Sequence, residues 1–419
     1  MIVKRKLILV YSLFAAMVLG ACSENNGSLP DDGSEGAKSK LVVQLNFAGV
    51  GDKSTGVGTR APQSTAIPAT SWSNIKQVQF LLYDATTNLI RFSAIATPES
   101  DSNTFTYTDI PVGTYKLVAV ANAKSSGDNI VTYLDGGITA MEWDMWNVRQ
   151  KDAANLVMTY KGGEFPTFCS SEQTAAGNTA YIEPSEIFMG SSDVTIAQGV
   201  TAAPTVSLTR EVSLMRVRLN VKEGQSGVDN ESTVDFAQNA SIMIYRLPEK
   251  MGVLAGDNGG VKPDFLSKDK YVLSIFGSDT FKTTEPTSGY TGTVLGSGNF
   301  TMWRDIVVFP NNGGRANNSV SSTASAAAAR QYFIVISATG KSGHVLANGT
   351  KLSSNTPIYW TGTIKENFVP NVIREVNLTL RTGGTTDVPV EPTVNGDLTI
   401  TVSEPAPWNG NIVESSIIL

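Results

Sequence analysis

The sequence predicts an all-β chain with minor helix, arranged as two β-sandwiches in series and a separate C-terminal tail. Three observations predict it. Charged residues make up only 17% of 419 residues, below the roughly 25% of an ordinary soluble domain. Apolar and polar residues alternate with period two in run after run, the signature of half-buried strands. Stretches rich in Gly, Asn, Ser and Thr, with 38 glycines in all, separate those runs as turns and loops.

Met1–Cys22 reads as an export signal: Lys4, Arg5 and Lys6 precede an apolar run from Leu7 to Leu19. That run is too short to span a bilayer comfortably. Leu19-Gly20-Ala21-Cys22 has the form of a bacterial lipobox, in which small residues give a peptidase and a lipid transferase access to the thiol of Cys22. The polar stretch from Ser23 to Gly33 then reads as a flexible tether. With Cys22 acylated, Cys169 has no intramolecular partner, so packed sheets must carry the stability. Cys169 itself is read as a small buried apolar residue.

Leu41, Val43, Leu45 and Phe47 share one face of the first strand. Residues 48–60, a run of Gly, Ser, Thr and Asp ending in Arg60, separate it from the rest of the chain. Strands are expected at Ile75–Tyr83, Leu89–Ser93 and Thr104–Thr108. A Pro-Val-Gly turn then feeds the apolar run Thr114–Asn122, which needs burial on both faces. Ile138–Tyr160 is the best helix candidate, with Met141, Met145, Val148 and Ala154 near helical spacing. Ile187–Gly190, Val194–Ile196 and Thr205–Leu208 resume the strand pattern. From Met215, alternation places Val217, Leu219 and Val221 inward and Arg216 and Arg218 outward. Further strands are expected at Ala240–Leu247, Ile306–Phe309, Tyr332–Ala338, Ile358–Thr363 and Val372–Leu380.

The tail stands apart. Thr382–Val394 reads as a Gly/Pro linker that cannot join a packed sheet. Beyond it Leu398, Ile400 and Val402 alternate with polar residues, and Trp408, Ile412, Ile417 and Ile418 come after them. An apolar end on a linker calls for a groove to lie in. The front strand and the tail strand mirror each other. Burying four apolar side chains of the front strand is worth roughly 6–12 kcal/mol. A body that lost it would offer a groove and unpaired backbone groups to another chain's strand, and head-to-tail exchange of that kind grows a filament.

Several chemistries are disfavoured. The single histidine, His344, rules out a histidine-cluster metal site and argues against Ser-His-Asp or Cys-His catalysis. A net charge of −6 offers no broad basic surface for nucleic acid. A hydrophobic fraction of 41% with a mean hydropathy of −0.04 fits neither a multi-span membrane protein nor a wholly disordered one. Trp143, Trp146, Trp303 and Trp360 could stack on sugar rings but fit a core better. Glu142 and Asp144 read as a solvated surface, and the Asp31-Asp32 and Asp257–Gly260 stretches lack calcium-loop spacing.

In its lipobox at Cys22, its Leu41–Phe47 strand followed by Gly58-Thr59-Arg60-Ala61, its Val112–Asn122 and Arg210–Val221 segments and its Leu398–Val402…Trp408 ending, the chain resembles the fimbrillins, pilins of type V pili. The resemblance implies tandem Greek-key, transthyretin-like sandwiches and a structural role without catalysis or cofactor. It implies a signal over 1–21, a propeptide over 22–60, bodies over 61–204 and 205–381, and a linker and donor tail over 382–419. An arginine-specific protease would cut between Arg60 and Ala61, freeing the berth of Leu41, Val43, Leu45 and Phe47. A neighbour's Leu398, Ile400, Val402, Trp408, Ile412 and Ile417 would then supply the replacement. Partners would be other fimbrial subunits, the lipoprotein export machinery and the protease. The precursor would sit in the outer membrane and the product in a surface fimbrium serving adhesion. The alternatives are a monomeric glycan-binding outer-membrane lipoprotein and a fimbrial tip adhesin.

Overall fold

Alternating runs become strands, and unbroken apolar runs become the strands buried on both faces. In a computed structural model the residues described are 39–47, 75, 77–98, 103–122, 124–125, 128–129, 131–135, 139–142, 148–159, 161–162, 179–182, 184, 186–221, 229–236, 240–245, 250–254, 270–276, 302–310, 332–366, 368–389, 398–402 and 406–407. The first strands are β1 (Ser39–Phe47), β2 (Val78–Asp84), β3 (Ile90–Ala96), β4 (Thr104–Ile110) and β5 (Gly113–Ala121). They join Phe188–Ile196, Thr201–Ala202 and Thr205–Arg210 in one eight-stranded sheet.

Two hydrophobic cores flank β2 and β5. Phe80, Leu82, Leu117 and Ala119 look into one, together with Leu41, Val43, Leu45, Val206 and Leu208. Leu81, Val118 and Val120 look into the other, which continues through Met215, Val217, Ile242, Ile306, Ile334, Trp360 and Val376. That division by alternate residues is why the Thr114–Asn122 run carries no polar face.

In the later half, Ser213–Asn220 lies between Met302–Val308, antiparallel, and Val372–Leu380, parallel. Ala240–Tyr245 lies between Lys270–Phe276 and Tyr332–Gly340, and Thr356–Ile364 pairs with the latter. Strands cross the 204/205 line in both directions. Thr205–Arg210 belongs with β1 and Phe188–Ile196, while Leu156–Thr159 pairs with Lys250–Gly252 and Thr179–Ile182 with Lys270–Phe276.

Three expectations are corrected. The helix candidate 138–160 contains strands Thr139–Glu142 and Leu156–Thr159 and a short 3-10 turn, Ala153–Asn155. Asp152 caps that turn by accepting from the Ala154 amide at 2.9 Å. Val148, Ala153, Leu156 and Met158 are all buried, so apolar spacing there answers to tertiary packing and not to one helical face. Arg216 and Arg218, expected outward, are buried as well, each 1% exposed. Their strand is flanked on both sides, and its register sets Arg216 opposite Asp305 and Glu375. Arg218 Nη1 lies 3.8 Å from Glu375 Oε2, so acid on the neighbouring strand meets the buried cation. Finally, Thr382–Thr385 is not a loose linker: it packs against the body through His344, Trp360 and Asn230.

A buried strut links the two halves. Arg210 donates through Nε to Glu186 Oε2 at 3.0 Å and through Nη1 to Asn371 Oδ1 at 2.8 Å. Its guanidinium lies over the Phe188 ring at 5.1 Å. Asn371 in turn donates its amide to the Val212 carbonyl at 3.0 Å, just where the chain leaves the first sheet.

Candidate functional site

β1 is an inserted strand, held on both edges. On one side it runs antiparallel to β4, with Leu41 opposite Tyr107, Val43 opposite Phe105 and Gln44 opposite Thr104. On the other it runs parallel to Thr201–Ala202 and then to Thr205–Arg210, with Leu45 opposite Val206 and Phe47 opposite Leu208. Leu41, Val43 and Leu45 are 0% exposed, while Lys40, Gln44 and Asn46 face outward. Period two therefore sorts the strand into a buried row and a wet row, and a one-residue slip would exchange them.

Hydrogen bonds fix that register. The Leu45 amide donates to the Asn103 carbonyl and the Asn103 side chain donates back to the Leu45 carbonyl, each at 2.9 Å. The Gln44 amide donates to the Pro204 carbonyl at 3.0 Å. At the start of β1, the Ser39 hydroxyl donates to the Ala197 carbonyl and accepts from the Gly199 amide, pinning the incoming chain to the Ala197–Val200 turn. Aromatic rings floor the berth. Phe80 packs on Phe105 at 4.9 Å and on Tyr107 at 5.6 Å between centroids, and Phe92 packs on Tyr107 at 5.1 Å. Burial there pushes the Tyr107 phenol far above its ordinary pKa.

The tail strand, Leu398–Val402, lies antiparallel along Val372–Leu380, and Ala406–Pro407 pairs further up the same strand. Leu398, Ile400 and Val402 are half-buried and pack on the larger core. Gly362 makes room for them: a Cβ added there would meet Ile400 Cδ1 at 2.4 Å. The tail row thus finds its groove on its own body.

Between body and tail sits a clasp. His344 is 1% exposed; its Nε2 donates to the Gly383 carbonyl at 2.7 Å, and its Nδ1 lies 2.8 Å from the Thr233 hydroxyl. Trp360 Nε1 and Asn230 Nδ2 both donate to the Thr382 carbonyl, at 2.9 and 3.0 Å. The Ala347 amide donates to the Gly384 carbonyl, and Thr385 exchanges backbone hydrogen bonds with Tyr359. Gly383 approaches the Val345 carbonyl so closely that a Cβ would stand 1.8 Å from its oxygen.

Of the residues predicted to matter, the structure brings Leu41, Val43 and Leu45 together in the berth and sets Phe47 at the same strand's end. Leu398, Ile400 and Val402 share one row of the tail strand. Cys22, Arg60, Ala61, Trp408, Ile412 and Ile417 lie outside the described residues, as do Trp143, Trp146, Asp144, Asp31, Asp32, Cys169 and Asp257–Gly260. Trp303 is in the strand Met302–Val308. Trp360 is fully buried and bound to the clasp, so it presents no face to a sugar. Sequence reasoning missed Ser39, Asn103, Gly362 and the clasp. Each is a polar or small residue whose partner is more than 20 positions away. Among the described residues no group of three or more His, Cys, Asp and Glu is placed to hold a metal ion, and no helix is long and apolar enough to cross a membrane.

Residues 54–245 match the family described as fimbrillin-A associated anchor proteins Mfa1 and Mfa2. No curated protein matches the sequence. Among solved structures, a candidate cell adhesion protein of Bacteroides eggerthii is 15% identical with a TM-score of 0.45, covering 89% of this chain and 97% of that one. A fimbrilin of Porphyromonas gingivalis is 12% identical with a TM-score of 0.41, covering 89% and 98%. The fimbrial anchor protein Mfa2 of the same organism is 9% identical with a TM-score of 0.39, covering 88% and 97%. The chain is fimbrillin-like.

Proposed function

We propose that this fimbrillin-like protein is a structural subunit of cell-surface fimbriae. In this reading residues 1–21 direct export and Cys22 is lipidated. Residues 22–60 are a propeptide removed by a cut between Arg60 and Ala61. Bodies 61–204 and 205–381, which share strands across their boundary, polymerise head to tail by donor-strand exchange, with 382–419 as a linker clasped at its start and a donor beyond it. Its partners are other fimbrial subunits, and its role is adhesion rather than catalysis.

One observation carries the reading: β1 is bonded along both edges and its Leu41, Val43 and Leu45 are wholly buried, yet Arg60 lies between it and the rest of the chain. Taking β1 away would leave β4 facing Thr201–Ala202 and Thr205–Arg210 across a strand-wide slot with apolar sockets. A second strand of matching period two restores both the backbone bonds and the packing. The tail strand has that period, and its present seat on the edge of its own sheet buries it only partly, so a fully enclosed berth is the better site for it. Residues 1–60 contain 7 Lys/Arg and 5 Asp/Glu, so their removal makes the rest more acidic than the whole chain at −6. Mutual repulsion then keeps subunits apart until strands exchange.

The match to a family of anchor proteins favours a second reading. Here the chain keeps β1 and its lipid and holds the base of a fimbrium at the membrane. Treating the purified precursor with an arginine-specific protease separates the two. A single cut after Arg60 followed by ladders on an unboiled denaturing gel supports the polymerising subunit. A precursor that resists the cut and stays single supports the anchor. Monomer after a clean cut overturns strand exchange.

A further inference from the structure

The two walls of the β1 berth are held very differently. Thr205–Arg210 is tied into the body: it pairs with Phe188–Ile196 through Thr209 and Arg210, and Arg210 makes the strut to Glu186 and Asn371. Gly190 lies so close to it that a Cβ there would stand 2.3 Å from the Ser207 carbonyl oxygen. Among the described strands β4, by contrast, pairs with β1 alone. The Asn103 carbonyl and side chain, just ahead of β4, bond Leu45 of β1 as well. Apart from β1, β4 meets the body through ring packing, Phe105 and Tyr107 on Phe80 and Phe92.

The two ends of β4 differ too. At one end Ile110 is buried, and the Tyr115 hydroxyl donates to the Val112 carbonyl at 3.3 Å, which fastens the turn that follows. Just before Ile110 the register shifts, so that Thr108 and Asp109 together stand opposite Lys40. Asp109 takes a left-handed φ of 60° there, and a bulge of this kind bends its strand. The other end, Thr104, is exposed and lies opposite Gln44, toward the Phe47 end of β1 that a cut at Arg60 sets free. Between the two ends the Tyr107 hydroxyl is buried with no hydrogen-bond partner. A phenol shut away from water in that state opposes closure of the wall that carries it.

We propose that β4 is the movable wall of the berth: bending at Asp109, it swings outward at its Thr104 end, releases β1 and admits a neighbour's strand from the side, while Thr205–Arg210 stays in place. Opening gives the Tyr107 hydroxyl water to bond, and closing on the new strand gives β4 a ladder again. The donor then has no need to thread lengthwise between two fixed edges. The inference rests on the strand-exchange reading above and deepens it by naming the element that controls entry.

The experiment uses the full chain with Cys22→Ser and Cys169→Ser, so that only introduced cysteines take a spin label. One pair is Thr106→Cys with Lys365→Cys and the other is Ser207→Cys with Lys365→Cys, all three exposed positions. Adding Val43→Asp and Leu45→Asp turns β1 out of the berth, and circular dichroism checks that the chain keeps its strands. Electron-spin distance measurement should then show the 106–365 distribution broadened and shifted by at least about 5 Å, one strand spacing, with 207–365 unmoved. In the unmutated berth, Tyr107→Phe keeps the ring and removes the unpaired hydroxyl, so after the Arg60 cut ladders should form about fivefold or more slowly. Walls that move equally or not at all, or a Tyr107→Phe chain that assembles at the wild-type rate, overturn the movable wall and leave strand exchange intact. No ladder from the wild-type chain after a clean cut overturns strand exchange, and the movable wall with it.

Discussion

Leu45→Ala should cost the first core about 3–5 kcal/mol. Leu45 is 0% exposed and its backbone is bonded to Asn103 on one side and paired with Val206 on the other. Leu→Ala substitutions cost about 2–5 kcal/mol, depending on how far the site can collapse. A strand fastened on both edges has little freedom to move into the cavity, which places this one in the upper part of that range. Gln44→Ala and Asn46→Ala, on the wet row of the same strand, should stay within about 0.5 kcal/mol. Urea unfolding followed by circular dichroism gives all three values. Native-state hydrogen exchange on β4 locates the effect, because opening of β1 should release those amides first. Leu45→Ala falling as close to wild type as Gln44→Ala would refute the enclosed berth, and with it the reason for an exchanged strand to go there.

The same geometry gives other outcomes. Arg210→Met should cost about 3–5 kcal/mol by taking the cation away from the buried Glu186 carboxylate, and Arg210→Met/Glu186→Leu should cost less than the two single changes added; a double-mutant cycle in urea reads the coupling. Gly383→Ala drives a Cβ into the Val345 carbonyl and should cost about 1–3 kcal/mol. Gly362→Ala, which meets only the far end of the Ile400 side chain, should cost less than half as much, both measured by thermal unfolding. The Asp84 carboxylate accepts from the Thr87 and Thr86 amides at 2.9 and 2.8 Å, which hold its pKa below the usual 3.8. Its stabilisation is therefore present above that value and lost as pH falls through the lower folded pKa. Asp84→Asn should be the less stable protein near neutrality, and its deficit should shrink as pH falls below 3.8 in acid-unfolding curves.

Most strands were legible because alternation is a local signal. Leu41-Val42-Val43-Gln44-Leu45 states its own two faces, and the Val112-Gly113 turn announces the strand after it. Double-sided burial of Leu117–Ala121 was legible for the same reason. Partners were not, since a strand's period carries no record of its neighbours. Arg216 and Arg218 read as outward because alternation sees only their own strand, while Glu375, whose carboxylate meets Arg218, comes over 150 residues later. The 138–160 region misled through spacing: Val148, Ala153 and Met158 are apolar because a core formed with distant strands requires it. The clasp left a faint trace at best. Gly383-Gly384 signalled freedom to turn, whereas the structure uses Gly383 for a close approach to Val345. Of the berth, the apolar row was predictable; Ser39 and Asn103, which fix its register, look like ordinary loop residues.

The central claim is that a neighbour's tail takes the place of β1. Cross-linking tests it most directly, using two Cys169→Ser chains, one with Ser207→Cys on the strand that borders the berth and one with Thr399→Cys or Thr401→Cys in the tail. Mixed, cut after Arg60 and oxidised, they should give a disulfide-linked heterodimer at one of the two tail positions and none before the cut. Equal cross-linking with β1 still in place, or none after its removal while polymers form, would contradict the account.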